Sequence, residues 1–144
     1  MEALLKTHNL RITPIRKKIL NLLEDTPYAI THSQLEDILG KEFDRVTTYR
    51  TLHTFEEKHL IHRILNDTGA WAYALCRTCD HNHEHEDEKA HHHVQHNHVH
   101  FKCEQCQNTV CLDNTAIPII NLPSGYKAQE WQMLVLGICP SCQA

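Results

Sequence analysis

Cysteine recurs at a two-residue gap three times in this chain, at Cys76/Cys79, Cys103/Cys106 and Cys139/Cys142. At that spacing two thiolates on a tight turn reach one Zn²⁺ ion, and two such pairs complete a closed tetrahedral set. Cys103, Cys106, Cys139 and Cys142 are therefore expected to hold a structural zinc. The stretch between these pairs is longer than in a compact zinc ribbon, so the ion would tie the first strand of a small module to its last residues.

Histidine is the second resource. Between Cys76 and Cys106, four cysteines and nine histidines fall within thirty-one residues. His98 and His100 stand two apart on an apparent strand, so both point to one face and offer half of a specific metal site. His81, His83, His85 and the run His91, His92, His93 alternate with acids where no apolar residue fixes the chain. They read as a tract that binds zinc or nickel weakly. Cys76, Cys79 and Cys111 either complete a second tetrahedral site with His98 or His100 or remain free thiols. A zinc hydrolase needs an open coordination position and a general base in a cleft. No H-E-x-x-H arrangement occurs, and a Cys₄ set is closed, so no enzymatic activity is expected.

The elements that must position these groups are legible in the apolar pattern. In "RITPIRKKILNLLED", Thr13 is the N-cap, Pro14 opens the helix, and Ile15, Ile19, Leu22 and Leu23 share a face. "THSQLEDILG" has capping-box spacing at Thr31 and Gln34, an apolar stripe of Leu35, Ile38 and Leu39, and Gly40 as terminator. Asp44 caps a third helix with Val46, Leu52 and Phe55 as its stripe, leaving Thr47, Thr48, Tyr49 and Arg50 outward. Hydroxyls, an aromatic ring and a cation on one face suit base edges and phosphates. "LIHRIL", the turn "NDTG" and "AWAYALC" then form a hairpin, so three helices and a hairpin make a winged helix. "HVHFKC", "NTVCL" and a strand within "YKAQEWQMLVLGIC" build a mostly β module whose thin core calls for a metal or a partner copy. The expected divisions are residues 1–76 (winged helix), 77–97 (His- and acid-rich loop or hinge insertion) and 98–144 (metal-binding module).

Charge agrees with that division. Of a net −4, Met1 to Arg63 carries ten Lys/Arg against nine Asp/Glu, and the remainder four against nine. Arg11, Arg16, Lys17 and Lys18 cluster near the front, so any DNA contact falls there. No apolar run is long enough for a membrane span, and paired cysteines without a signal peptide point to a reducing, cytoplasmic setting.

Four blocks, "LRITPIRKKILNLL", "RVTTYRTLHTFEEKHLI", "HVHFKCEQC" and "GYKAQEWQMLVLGICPSC", resemble in order those of the ferric uptake regulator (Fur) superfamily of metal-dependent repressors. The resemblance covers nearly the whole chain. It implies an α+β fold, in which an N-terminal winged helix-turn-helix DNA-binding domain precedes a small α/β dimerisation domain, and a homodimer on a palindromic double-stranded DNA operator. It also implies that Tyr49 and Arg50 contact bases and phosphate, with Thr47 on the same helix, Arg16 as a phosphate contact and Arg11 as a minor-groove or backbone contact. His98 and His100 would belong to a regulatory metal site at the hinge.

Departures from the family pattern sharpen the mechanism. The positions that complete the hinge site are Ala29 and Ala74 here, and a further family site meets Val99 and Trp131. His32 and Cys76 are the expected replacements, giving a regulatory set of His32, Cys76, His98 and His100 with Cys79 or a loop histidine as substitute. Mixed sulfur and nitrogen in four-coordinate geometry favours a second Zn²⁺ over Fe²⁺. A zinc-responsive, Zur-like repressor is thus the leading expectation. An iron-responsive repressor comes next, then a zinc buffer or metallochaperone using the loop. A peroxide sensor ranks lower, for want of the carboxylate ligands.

Overall fold

The computed structural model describes residues 2–77, 98–115, 117–128 and 132–143. Cys79, Trp131 and the histidine-rich tract lie outside them. Helix α1 (Glu2–Thr7), which the apolar pattern did not announce, buries Leu5. Helix α2 (Pro14–Asp25) begins where expected: the Thr13 hydroxyl accepts the Arg16 N–H, and Pro14 fills the first turn. Strand β1 (Ile30–Thr31) leads into α3 (His32–Leu39), whose capping box joins Thr31 and Gln34 in both directions. Gly40 follows at φ 61°, a left-handed conformation that a side chain would resist.

Helix α4 (Arg45–Glu57) starts on Asp44, whose carboxylate takes the Thr47 N–H at 2.9 Å. Its inward face differs from the expected stripe. Thr48, Thr51, Leu52 and Phe55 are buried, while Val46 is 56% exposed. Two residues at 3.6 per turn put Val46 about 200° round the helix from Thr48. Thr48 and Thr51 can be buried because their hydroxyls donate to the carbonyls of Asp44 and Thr47, one turn back. Ile38, expected in the α3 stripe, is likewise 52% exposed.

Strands β2 (Ile61–Leu65) and β3 (Trp71–Leu75) form the hairpin, and β1 adds to β3, so the wing sheet runs β1-β3-β2, all antiparallel. The register sorts its side chains. Ile61, Tyr73, Trp71 and Leu75 join the helical core with Leu20, Leu52 and Phe55. His62 opposite Ala74, and Ile64 opposite Ala72, face the other way. There they meet the second sheet, β5-β4-β6, in which β4 (Val99–Cys103) pairs antiparallel with β5 (Thr109–Leu112) and parallel with β6 (Leu134–Gly137). A Cβ at Gly137 would stand 3.2 Å from the Phe101 ring, so a larger residue there would require the ring to shift by a few tenths of an ångström. A 3₁₀ turn, Pro140–Cys142, ends the described chain.

The sheets are joined by a backbone bond from Ala29 N–H to Thr109 C=O at 2.7 Å and by an ion pair between Lys102 of β4 and Asp67 of the wing turn. The connection after β5 leaves Ile119, Ile120, Leu122 and Tyr126 exposed, Ile119 at 93%. No described helix is long and apolar enough to cross a membrane.

Leu52→Ala and Phe55→Ala are each expected to cost about 2–5 kcal/mol in urea unfolding through the cavity left in the helical core. Val46→Ala should stay within about 0.5 kcal/mol.

Candidate metal centres and recognition helix

The four cysteines Cys103, Cys106, Cys139 and Cys142 come together, all four sulfurs lying within 4.8 Å of one another. Cys103 ends β4, and the turn that follows brings Cys106 back beside it: Gln107 adopts φ 63° and donates its N–H to the Cys103 carbonyl at 2.9 Å. Cys139 begins the closing 3₁₀ turn and donates its N–H to the Cys103 sulfur at 3.4 Å. A tetrahedral Zn²⁺ with Zn–S of about 2.3 Å sets neighbouring sulfurs about 3.8 Å apart. The Cys106–Cys139 separation is 3.9 Å.

The thiols are electrostatically unequal. Backbone N–H groups, that of Cys139 first and then those of Cys106 and Gln105, lower the Cys103 thiol to about 6. The neighbouring sulfur of Cys139, with burial and the sulfurs of Cys106 and Cys103, pushes the Cys142 thiol up to about 12. One thiolate is welcome among these sulfurs and a fourth is opposed, which is the situation a central cation relieves.

A second cluster joins the two sheets. His62 of β2, His98 before β4, His100 within it and Cys111 of β5 place one donor atom each within 4.8 Å of the others. The three imidazoles are buried, with ring centroids 4.7 to 5.4 Å apart. Nε2 of His62 stands 3.3 Å from Nε2 of His100 and 3.4 Å from the Cys111 sulfur. Tetrahedral zinc bonds of about 2.0–2.1 Å to nitrogen and 2.3 Å to sulfur imply edges of about 3.3 and 3.5 Å. The donor set therefore fits such an ion.

This grouping revises the expected regulatory set. His98 and His100 share a face as the alternation required, and Cys111 lies directly across from His100 in the ladder. His32 is not among them. Between Ala29 and His32 the chain is extended rather than helical, so three residues span about 10 Å instead of one turn. His32 instead sets its ring edge-on to Tyr49, 6.1 Å between centroids, and its Nδ1 3.6 Å from Glu36. Cys76 approaches the cluster from behind, its sulfur 3.5 Å from Nδ1 of His62. Ala29 and Ala74 line a cleft of about 420 Å³ with Tyr28, Arg77 and Cys111. His62 was missed because one histidine in "LIHRIL" looks like any polar residue on a wing. Only its inward position beside Ile64 separates it.

On α4, Tyr49 and Arg50 are exposed, as is Arg11 before α2. The Arg16 guanidinium donates to the Arg11 carbonyl at 2.8 Å, which pins the segment entering α2. Thr47 is less available than expected, because its hydroxyl donates to the capping Asp44 carboxylate. That bond, with the Thr47 N–H, holds the Asp44 carboxyl below its ordinary 3.8.

Lys102 is 5% exposed and pairs with Asp67, whose carboxyl is held below its ordinary 3.8, first by the hydrogen bond from Lys102. A carboxyl so lowered contributes stability that is present at neutral pH and lost as pH falls through the lowered value. Asp67→Asn should therefore lower the unfolding midpoint at pH 7, with the deficit closing as acid titrates the wild-type carboxylate; thermal melts across pH check this.

Among known proteins, residues 7–89 match the sequence model of the ferric uptake regulator family. A ferric uptake regulation protein of Neisseria meningitidis is 28% identical over 99% of this chain and 92% of its own length. One from Synechococcus elongatus is 27% identical with the same coverage. Among solved structures, a zinc uptake regulator complexed with zinc and DNA superimposes with a TM-score of 0.65 at 20% identity, over 99% of this chain and 89% of that one. The Vibrio cholerae ferric uptake regulator does so with 0.57 at 20% identity, over 94% and 96%. Identities this low speak for the fold, which is α+β, a winged helix followed by a small second domain.

Proposed function

Since the chain belongs to the ferric uptake regulator family, whose members are metal-responsive transcription regulators, we propose that it is a zinc-responsive repressor binding a palindromic DNA operator as a homodimer. Residues 1–76 carry the DNA contacts in this reading, and residues 98–144 the contacts between copies. Tyr49 and Arg50 face the base edges and phosphates, Arg11 and Arg16 add backbone contacts, and Thr47 serves by holding the cap of the recognition helix. The exposed Ile119, Ile120 and Leu122, together with Val135 and Leu136 of β6, supply an apolar face suited to a partner copy.

The observation that carries the reading is the cluster of His62, His98, His100 and Cys111, whose donors come from both sheets. Three of the four donors, His98, His100 and Cys111, come from the second sheet, so the bond a zinc ion would make to His62 is the one that requires the wing sheet to stand in this arrangement. Shifting a two-state equilibrium from 1:99 to 99:1 takes about 5.5 kcal/mol of differential affinity. Metal loading therefore biases the placement of α4 by the affinity the ion loses when His62 leaves it, not by the binding energy of the whole site. Cys103, Cys106, Cys139 and Cys142 hold a separate structural zinc that closes the second sheet.

Three nitrogens and one sulfur at tetrahedral spacing favour Zn²⁺; Fe²⁺ sites usually offer more nitrogen and oxygen donors. The name borne by the Neisseria relative favours iron, so the metals must be compared directly. Operator duplexes selected from randomised DNA should be bound when Zn²⁺ beyond the structural equivalent is added from a metal buffer, and not with anaerobic Fe²⁺. His62→Ala and Cys111→Ser should each remove that metal dependence, while His32→Ala keeps it. Switching by iron alone, or metal response undiminished in His62→Ala, would contradict the proposal.

A further inference from the structure

Cys76 stands against the hinge cluster without being one of its four converging donors, and its position is fixed by the ladder. His62 lies opposite Ala74, and Cys76 is two residues beyond Ala74 on the same face. The Cys76 N–H donates to the Leu60 carbonyl at 3.0 Å, which carries the β2–β3 pairing one residue past the strand end. Its sulfur is thereby held 3.5 Å from Nδ1 of His62, while Nε2 of the same ring faces His100 and Cys111.

We propose that Cys76 is a positioning residue for the hinge metal, whose sulfur accepts the Nδ1–H of His62 and so holds the Nε2 lone pair on the ion. A neutral imidazole carries one N–H. With Nε2 coordinating, that hydrogen is on Nδ1, where the Cys76 sulfur stands 3.5 Å away to accept it. Ligating histidines generally donate their second nitrogen to a carboxylate, a backbone carbonyl or water, and loss of such a partner typically costs about 10–100-fold in metal affinity. Sulfur can take that role here because the residue opposite His62 is Ala74, whose side chain has no polar atom to offer. The ring is clasped between two sulfurs of different duty: Cys111 shares the ion with Nε2, and Cys76 orients the ring through Nδ1.

This inference rests on the proposed hinge site, and its test separates the two. The full-length chain, with its structural zinc in place, is titrated with Co²⁺ from a metal buffer, because sulfur bound to Co²⁺ gives a charge-transfer band that nitrogen does not. Wild-type protein should take up one Co²⁺ with a single-thiolate band. Cys76→Ala should keep that band but bind about 10–100-fold more weakly, and Cys76→Ser should recover part of the loss through its hydroxyl. Cys111→Ser should lose the band. Thermal melts of the metal-free hinge variants show whether each is folded, and Cys76→Ser carries the test if Cys76→Ala is not. Loss of the band in Cys76→Ala with its survival in Cys111→Ser would make Cys76 a ligand and overturn the inference. Equal affinity in wild type, Cys76→Ala and Cys76→Ser would leave Cys76 no role at the metal and overturn it as well. A wild-type protein that takes up no Co²⁺ with a thiolate band would remove the hinge site itself, and this inference with it.

Discussion

Two imidazole nitrogens 3.3 Å apart in a buried site need a proton or a cation between them. His62 and His100 are in that position, with Cys111 and His98 completing the surround. A buried polar atom left unsatisfied costs about 1–3 kcal/mol, so this junction is held either by shared protons or by a cation, and the two choices differ greatly in strength. Among the described residues, two further links between the winged helix and the second sheet accompany it. The Ala29–Thr109 backbone bond and the Lys102–Asp67 pair flank it and align the sheets; the donors between them decide how firmly they stay aligned.

The wing hairpin is what makes the junction possible. Because side chains alternate along β2, one strand serves two interiors: Ile61 fills the helical core while His62 and Ile64 meet the second sheet. A shift of register by one residue would turn His62 into the helical core and Ile61 toward the metal donors. Helix α4 packs on this same hairpin through Leu52 and Phe55. The strand that carries His62 and the helix that carries Tyr49 and Arg50 therefore share one packed core.

Much of this was legible in residue order. Caps at Thr13, Thr31 and Asp44, the doubled cysteine pairs and the shared face of His98 and His100 all follow from local rules of one or two turns, and local rules are what a sequence displays. The inward face of α4 was harder to read: Thr48 and Thr51 look polar until their hydroxyls are seen to be satisfied one turn back, while Val46 looks apolar yet lies on the opposite side. The hinge set was only half legible. His98 and His100 share a strand, whereas His62 and Cys111 join them through the pairing of β4 with β5 and the stacking of two sheets, distances that sequence order does not carry. His32 was a reasonable substitute for a ligand at Ala29 only if the chain between them were helical, and it is extended.

The most direct test of the account is zinc K-edge X-ray absorption on protein loaded with two zinc equivalents. One ion in an all-sulfur shell at about 2.3 Å and one with three nitrogens at about 2.0–2.1 Å plus a single sulfur should sum to five sulfurs and three nitrogens across the pair. His62→Ala should remove nitrogen scattering without removing sulfur from the first ion. A second zinc surrounded by oxygen and nitrogen alone would contradict the account, since Cys111 would then not be a ligand of this cluster.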